Sequence, residues 1–117
     1  MKYKLEFFLT NSRRSPVEEF LDGLDIRTQR KFLYACSLLE EFGIKLSMPF
    51  CKYLKNDIHE LRFKGKEGAV RVLYFFIKGN RIIFTNGFLK KTQKAPGKEI
   101  KLAIERKQIF KEEKYND

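Results

Sequence analysis

The sequence predicts a single α+β domain over residues 1–117, with the element order βααβββα and an antiparallel sheet. Two helical segments precede residue 44, three β-rich runs follow one another between residues 57 and 89, and a further helical segment closes the chain. Because the paired helices need an apolar surface to cover, we expect this helical hairpin on one face of the sheet. Hydrophobic residues make up 43% of the chain, which is enough for a core.

The first strand and the two helices are predicted from short-range patterns. Residues 3–9 alternate at the start and are interrupted by Thr10-Asn11-Ser12. Ser15-Pro16-Val17-Glu18 reads as a capping box with proline at the first helical position, and Gly23 ends that helix. The next helix is expected from Asp25 to Gly43. Its apolar stripe is expected to contain Ile26, Leu33, Cys36, Leu39 and Phe42, widened by Phe32, Ala35 and Leu38.

The sheet is predicted from three consecutive runs. Residues 58–64 form a strand, residues 64–68 a glycine-bearing hairpin loop, and residues 69–77 a strand that is apolar on both faces and therefore central. Lys78-Gly79-Asn80 is a tight turn before a strand over residues 81–89. Pro96 is expected at the first position of the final helix, whose apolar residues are Ile100, Ala103, Ile104 and Phe110.

Net charge is the first indication of function. The chain carries +10, and residues 61–117 account for +9 of it. A localised positive field attracts polyanions, which favours nucleic acid over an anionic membrane surface. No apolar stretch resembles a signal peptide or a membrane span, so we expect a cytoplasmic location. The two cysteines show neither metal-ligand nor disulfide spacing, and we expect no metal and no other cofactor.

Cations near titratable groups are the candidates for RNA chemistry, which needs a base for the 2′-hydroxyl and positive charge around the phosphate. Strand alternation places Glu60 and Arg62 on one face and His59 on the other, with Arg71 on the neighbouring strand. The last strand and the loop after it add possible RNA contacts: Asn86, Phe88, Lys90, Lys91, Thr92, Gln93 and Lys94.

Each candidate also has a structural interpretation. Glu60 with either arginine is a possible structural ion pair, and a histidine in a strand, such as His59, is more often a packed or exposed bystander than a base. The lysine-rich run after the last strand is a possible solvated loop, while Tyr74 and Phe88 are possible core residues. A metal nuclease is disfavoured because the basic half lacks clustered Asp, Glu and His ligands.

Three segments resemble the phage-derived HigB branch of the RelE/ParE toxin superfamily: residues 60–63, 71–75 and 86–96. The most specific is Gly-Phe-x-Lys-Lys-Thr, which follows an E-L-R…R-V-L-Y pair of strands. The resemblance implies a RelE-like fold and a ribosome-dependent messenger-RNA endonuclease, the toxin of a type II toxin–antitoxin system. It also implies that Arg62, Arg71, Lys90 and Lys91 hold the scissile phosphate, with Thr92 beside them.

The sequence departs from the family pattern at Glu60, where RelE-type enzymes place a lysine. Two possibilities therefore stay open: Glu60 is the general base, or the site has no strong base. Two other functions stay open: a ParE-type inhibitor of DNA gyrase without nuclease activity, and a non-catalytic RNA-binding module.

The resemblance implies as partners the ribosome with its messenger RNA and a HigA-like helix-turn-helix antitoxin, with operator DNA bound only through the antitoxin complex. The antitoxin either covers Arg62, Arg71 and Lys90 or binds the acidic helical hairpin. We favour the hairpin, because it carries Glu18, Glu19, Asp22, Glu40 and Glu41.

Overall fold

The computed structural model describes residues 2–94 and 96–115, with the side chains of residues 114 and 115 left out. In this range three α-helices and five strands form one α+β layer structure, which confirms the predicted fold class. The elements are β1 Lys4–Phe7, α1 Pro16–Asp22, α2 Ile26–Phe42, a short 3₁₀ turn Gly43–Lys45, β2 Cys51–Lys55, β3 Ile58–Gly65, β4 Gly68–Ile77, β5 Arg81–Lys90 and α3 Gly97–Tyr115.

The sheet has the strand order β1-β5-β4-β3-β2, so the doubly apolar strand β4 is central, as predicted. Neighbouring strands run antiparallel except β1, which pairs in parallel with β5. The observed order is βααββββα, and the strand missing from the predicted order is β2. This strand is short and lies at the sheet edge with most of its side chains exposed, and it therefore has little of the apolar patterning that identifies a strand.

Two apolar cores lie on the two faces of the sheet. The first joins α1 and α2 to the sheet through residues such as Val17, Phe32 and Phe84. The second lies under α3 and includes Leu73 and Ala103. The helical hairpin and the C-terminal helix therefore cover opposite faces. No helix of the described residues is long and apolar enough to cross a membrane.

Local signals place the helix ends as the sequence predicts. The Ser15 hydroxyl accepts the Glu18 N–H at 3.2 Å, and the Asp25 carboxylate accepts the Arg27 N–H at 3.0 Å. Helix α2 ends at Phe42 and is capped by Gly43, which has a φ of +49° that favours glycine. Helix α3 begins at Gly97, one residue after the predicted Pro96, whose carbonyl accepts the first helical N–H groups.

The predicted apolar stripe of α2 is partly wrong. Ile26, Leu33 and Phe42 are exposed. The residues that face the sheet are Thr28, Phe32, Ala35, Cys36 and Leu39. This face is selected by its partners, because Phe32 contacts the rings of Phe63 and Phe84 while the Thr28 hydroxyl donates to Glu67 at 2.7 Å.

Candidate functional site

The α3-side face of the sheet carries the predicted basic residues beyond the N-terminal end of α3. Directly paired residues of neighbouring strands project to the same face. Arg62 of β3 pairs with Arg71 of β4, and Arg71 pairs with Phe88 of β5. The two arginines are therefore adjacent although nine positions separate them in the chain.

These arginines border an open groove of about 470 Å³ at the end of the sheet. The groove is lined by Arg62, Ala69, Arg71, Lys90, Lys91, Thr92 and Gln93. Four of these side chains are cationic. The structure thus brings together the four cations for which the family resemblance implies a role at the phosphate, and the groove suits an anionic ligand.

Glu60 lies beneath this groove and is only 1% exposed. Its Oε1 is 3.5 Å from Arg71 Nε and 3.9 Å from Arg62 Nε, which are ion-pair distances longer than a good hydrogen bond. Within the described chain, Glu60 Oε2 and Arg71 Nε find no hydrogen-bond partner. The carboxylate is therefore inaccessible to a substrate hydroxyl in this arrangement, and it balances the charge of the arginines.

Arg71 is 8% exposed and its Nη1 donates to the Val70 carbonyl at 3.0 Å. Burial lowers the pKa of its guanidinium; Glu60 opposes this change and Arg62 adds to it. Arginine nevertheless stays charged at neutral pH. Arg62 is more exposed, and its Nη1 lies 3.0 Å from the sulfur of Met48.

The remaining predicted RNA contacts differ in their surroundings. Lys90, half-buried, pairs with Ala69 at the end of β5, whereas Lys91 and Lys94 are exposed. The Thr92 hydroxyl donates to the Lys94 carbonyl at 2.9 Å, so it shapes the loop. Lys94 is not among the groove-lining residues.

A residue that stacks on a base needs an exposed ring, but the ring of Phe88 is buried. It is 8% exposed and belongs to the second core with Leu73 and Ala103. Its position favours the packing interpretation over contact with a base.

His59 is on the opposite face, away from the groove. Its ring stacks on Tyr74 at 5.3 Å and meets Tyr53 and Phe76 edge-on. Burial lowers its pKa, against a smaller opposing effect of Asp57. This favours the interpretation of His59 as a packed residue.

Comparison with known proteins places the chain in a family. The family profile described as "Phage derived protein Gp49-like (DUF891)" matches residues 19–108. The chain belongs to the phage-derived Gp49-like family. This match confirms the phage-derived family that the sequence motifs indicated.

The Gp49-like chain also has a neighbour among solved structures, a chain of the intact Escherichia coli RelBE toxin–antitoxin complex. The two are 12% identical, with a TM-score of 0.45, and the match covers 77% of this chain and 99% of that one. No curated protein sequence matches significantly.

Contacts of Glu99 and Arg106, two residues that the sequence analysis did not single out, also shape the site of this Gp49-like protein. The Asn86 amide donates to the carbonyl and the carboxylate of Glu99, at 3.2 and 3.0 Å, and ties the start of α3 to β5. Arg106 donates to the Thr85 carbonyl at 2.9 Å, where β5 bulges. Such contacts between residues distant in the chain leave no local sequence signal.

Metal ligands are not clustered in the part of the chain that the structure describes. No group of three or more His, Cys, Asp or Glu side chains there is arranged to hold a metal ion. Cys36 and Cys51 are both buried free thiols, and burial raises the pKa of Cys36 to about 12.

Proposed function

We propose that this chain is the toxin of a type II toxin–antitoxin pair and that it cleaves messenger RNA on the ribosome. The observation that carries the proposal is the convergence of Arg62, Arg71, Lys90 and Lys91 on one open groove. A protein that inhibits gyrase by binding alone has no need to gather four cations around a site of this kind. Family membership and the net charge of +10 support an RNA substrate.

The proposed reaction is an internal phosphoryl transfer. The 2′-oxygen of one nucleotide attacks the adjacent phosphorus, and the bond between phosphorus and the 5′-oxygen breaks. The products are a 2′,3′-cyclic phosphate and a 5′-hydroxyl. Arg62 and Arg71 bind the non-bridging oxygens as negative charge develops. A lysine ammonium group donates a proton to the leaving 5′-oxygen and regains one from water.

A strong general base is not part of this proposal. The described lining of the groove contains neither a carboxylate nor an imidazole. Glu60 is buried beneath the arginines, and His59 packs on the other face of the sheet. The 2′-hydroxyl proton then passes to water, and the rate depends on charge stabilisation and on the ribosome holding the RNA in line.

The proposed partners are the ribosome with its messenger RNA and a HigA-like helix-turn-helix antitoxin. The antitoxin contacts operator DNA, and the toxin reaches that DNA only through the complex. Translation takes place in the cytoplasm, which is therefore the proposed site of action.

The test is to map transcript ends after a brief pulse of expression in growing cells. We expect new ends clustered within translated frames, with 2′,3′-cyclic phosphates upstream and 5′-hydroxyls downstream. End-group analysis is preferable to a chelator, because ribosomes themselves need magnesium. Fragments with 5′-phosphates would contradict the chemistry, and intact messages with double-strand DNA breaks would instead favour gyrase inhibition.

A further inference from the structure

Two exposed apolar residues lie next to Arg62, which lines one side of the groove. Met48 is 57% exposed and Phe50 is 39% exposed. The Met48 sulfur lies 3.0 Å from Arg62 Nη1, and the Phe50 carbonyl accepts the Arg62 N–H at 2.8 Å. Met48 therefore contacts an arginine of the proposed phosphate site through its side chain, and Phe50 contacts the same arginine through its backbone.

Strand pairing gives the position of Phe50 on the sheet. Cys51 pairs with Leu61, and the hydrogen bond from Arg62 to Phe50 continues this pairing by one residue. Cys51 and Leu61 are buried in the core under α1 and α2. Phe50 is the last residue of the turn before β2, and its bond to Arg62 extends the pairing to it. From the alternation of side chains in this pairing we infer that the exposed Phe50 ring lies on the opposite face, beside Arg62.

We propose that Met48 and Phe50 form a nucleobase-stacking subsite for the RNA whose phosphate occupies the groove. The proposal rests on the proposed function and adds the contact to the base. A phenyl ring and a polarisable thioether beside cations match the composition of single-strand binding sites, in which the backbone meets positive charge and the base meets an aromatic face. Phe50 takes the role that the sequence analysis assigned to Phe88, which is buried.

The surrounding charge favours a nucleobase over a protein partner at this subsite. Met48 and Phe50 lie next to Arg62, and the groove beyond it adds Arg71, Lys90 and Lys91. In an RNA strand each phosphate is flanked by bases, so a bound phosphate puts an aromatic base within reach of neighbouring apolar side chains.

The absence of tryptophan from the sequence makes a direct test possible. Phe50→Trp introduces a single indole at the proposed subsite, and Tyr34→Trp introduces one at an exposed position of α2 as the control. The probes are a short single-stranded RNA with 2′-O-methyl groups, which cannot be cleaved, and a fully abasic strand of the same length. We expect the RNA to quench the emission of the Phe50→Trp protein, while the abasic strand and the Tyr34→Trp control show no quenching.

Affinity measurements with the same probes separate the base from the phosphate. Phe50→Ala should weaken binding of the RNA about 5- to 150-fold, the range for loss of one stacked base, and leave the abasic strand unaffected. Phe50→Tyr should retain the affinity of the parent. Arg71→Ala should weaken both probes, because both carry the phosphates.

The two proposals fail in different ways. If Arg71→Ala weakens both probes but Phe50→Ala changes neither, the groove binds RNA and the stacking subsite is wrong. If neither substitution changes binding, the groove itself is wrong and both proposals fall.

Discussion

Arg71 shows at the scale of one residue how a costly side chain indicates function. A guanidinium that is 8% exposed in the central strand is unfavourable unless a charge balances it, and Glu60 supplies that charge from 3.5 Å. An apolar pair would be easier to accommodate in a core at this place. Arg71 also lines the groove, and a role in binding an anion there explains why this position holds an arginine.

We expect Arg71→Ala to abolish growth arrest, because loss of one donor to the developing charge costs about 10²- to 10³-fold in rate. The substitution leaves the buried Glu60 with Arg62 alone, so the double variant with Glu60→Gln is made as well to remove the uncompensated charge. Growth curves and urea unfolding are measured for both proteins. Arg14→Ala, in an exposed ion pair with Glu19, is the control and should stay toxic. A double variant that is folded and fully toxic would return Arg71 to a structural role.

His59 allows a test through pH. Burial lowers its pKa in the folded protein, so protonation favours the unfolded state. Its contribution to stability is complete above the unfolded pKa of about 6.5 and is lost as the pH falls through the folded value. Between about pH 7.5 and pH 5.5, the parent should lose more free energy of unfolding than His59→Phe, which keeps a ring among Tyr53, Tyr74 and Phe76.

Urea unfolding at the two pH values measures this difference. The His59→Phe protein should also arrest growth like the parent, because position 59 is on the face away from the groove. Loss of arrest in a stable variant would make His59 part of the catalytic site.

The contact between helix α1 and strand β5 explains why the Gly-Phe-x-Lys-Lys-Thr motif begins with a glycine, Gly87. A Cβ added to Gly87 would lie 2.6 Å from Cδ2 of Phe20, whose ring crosses the strand there. The close approach, and not an unusual φ, therefore requires glycine at this position. Because Phe88 and Lys90 follow on the same strand, this packing also positions one wall of the groove.

Gly87→Ala should destabilise the fold by about 1–3 kcal/mol, the usual cost of overpacking. Gly97→Ala is the matched control, since an added Cβ there meets nothing within 4 Å at the start of α3. We expect the control to be neutral or slightly stabilising. Thermal or urea unfolding of the two variants gives the comparison, and equal stability would show that Phe20 moves aside without cost.

The helical hairpin is the proposed antitoxin surface. Its outer side carries exposed carboxylates such as Glu18 and Glu19 and exposed apolar residues such as Leu33 and Tyr34. Acidic and apolar groups together suit a protein partner better than RNA. The hairpin also lies on the other side of the sheet from α3, so an antitoxin bound there leaves the groove uncovered and inhibits by blocking entry to the ribosome.

Charge reversal distinguishes the two surfaces. The double variant Glu18→Lys with Glu19→Lys should lower the affinity for the co-expressed antitoxin, because the reversed charges repel the groups that bound the carboxylates. The double variant Lys90→Gln with Lys91→Gln should leave the complex intact. The readout is a pull-down followed by a titration, with unfolding curves as the control because Glu19 pairs with Arg14. The reverse ranking would mean that the antitoxin covers the groove.

At the scale of the whole molecule, charge is distributed unevenly. The surplus of +9 belongs to residues 61–117, which contain β4, β5 and α3 together with most of β3. The groove lies at the end of the sheet where β5 leaves it, so the overall field and the local site favour the same ligand.

Salt dependence measures how many of these charges bind phosphate. For single strands, the logarithm of the binding constant falls with the logarithm of salt concentration by about 0.7 per phosphate neutralised. Lys91→Gln should reduce this slope by about one such step. Lys78→Gln makes the same change of charge in the turn at the far end of β4 and should leave the slope unchanged. Equal slopes for the two variants would show that RNA responds only to net charge.

The sequence alone determined the elements whose cause is local. The cap at Ser15, the end of α2 at Gly43 and the apolar run of β4 are set by neighbours within a few positions, and the structure places them as predicted. Alternation in β3 likewise put Glu60 and Arg62 on one face. The resemblance to known toxins at residues 60–63, 71–75 and 86–96 indicated the four groove cations.

Features that depend on partners far away in the chain are set by the tertiary structure. The edge strand β2 forms because β3 offers hydrogen bonds, and its pairing brings Phe50 beside Arg62. The burial of Glu60 and Phe88 follows from the helix and strands around them, which also select the buried face of α2. Burial and strand register are set by contacts between segments far apart in the chain, and no short window of sequence contains that information.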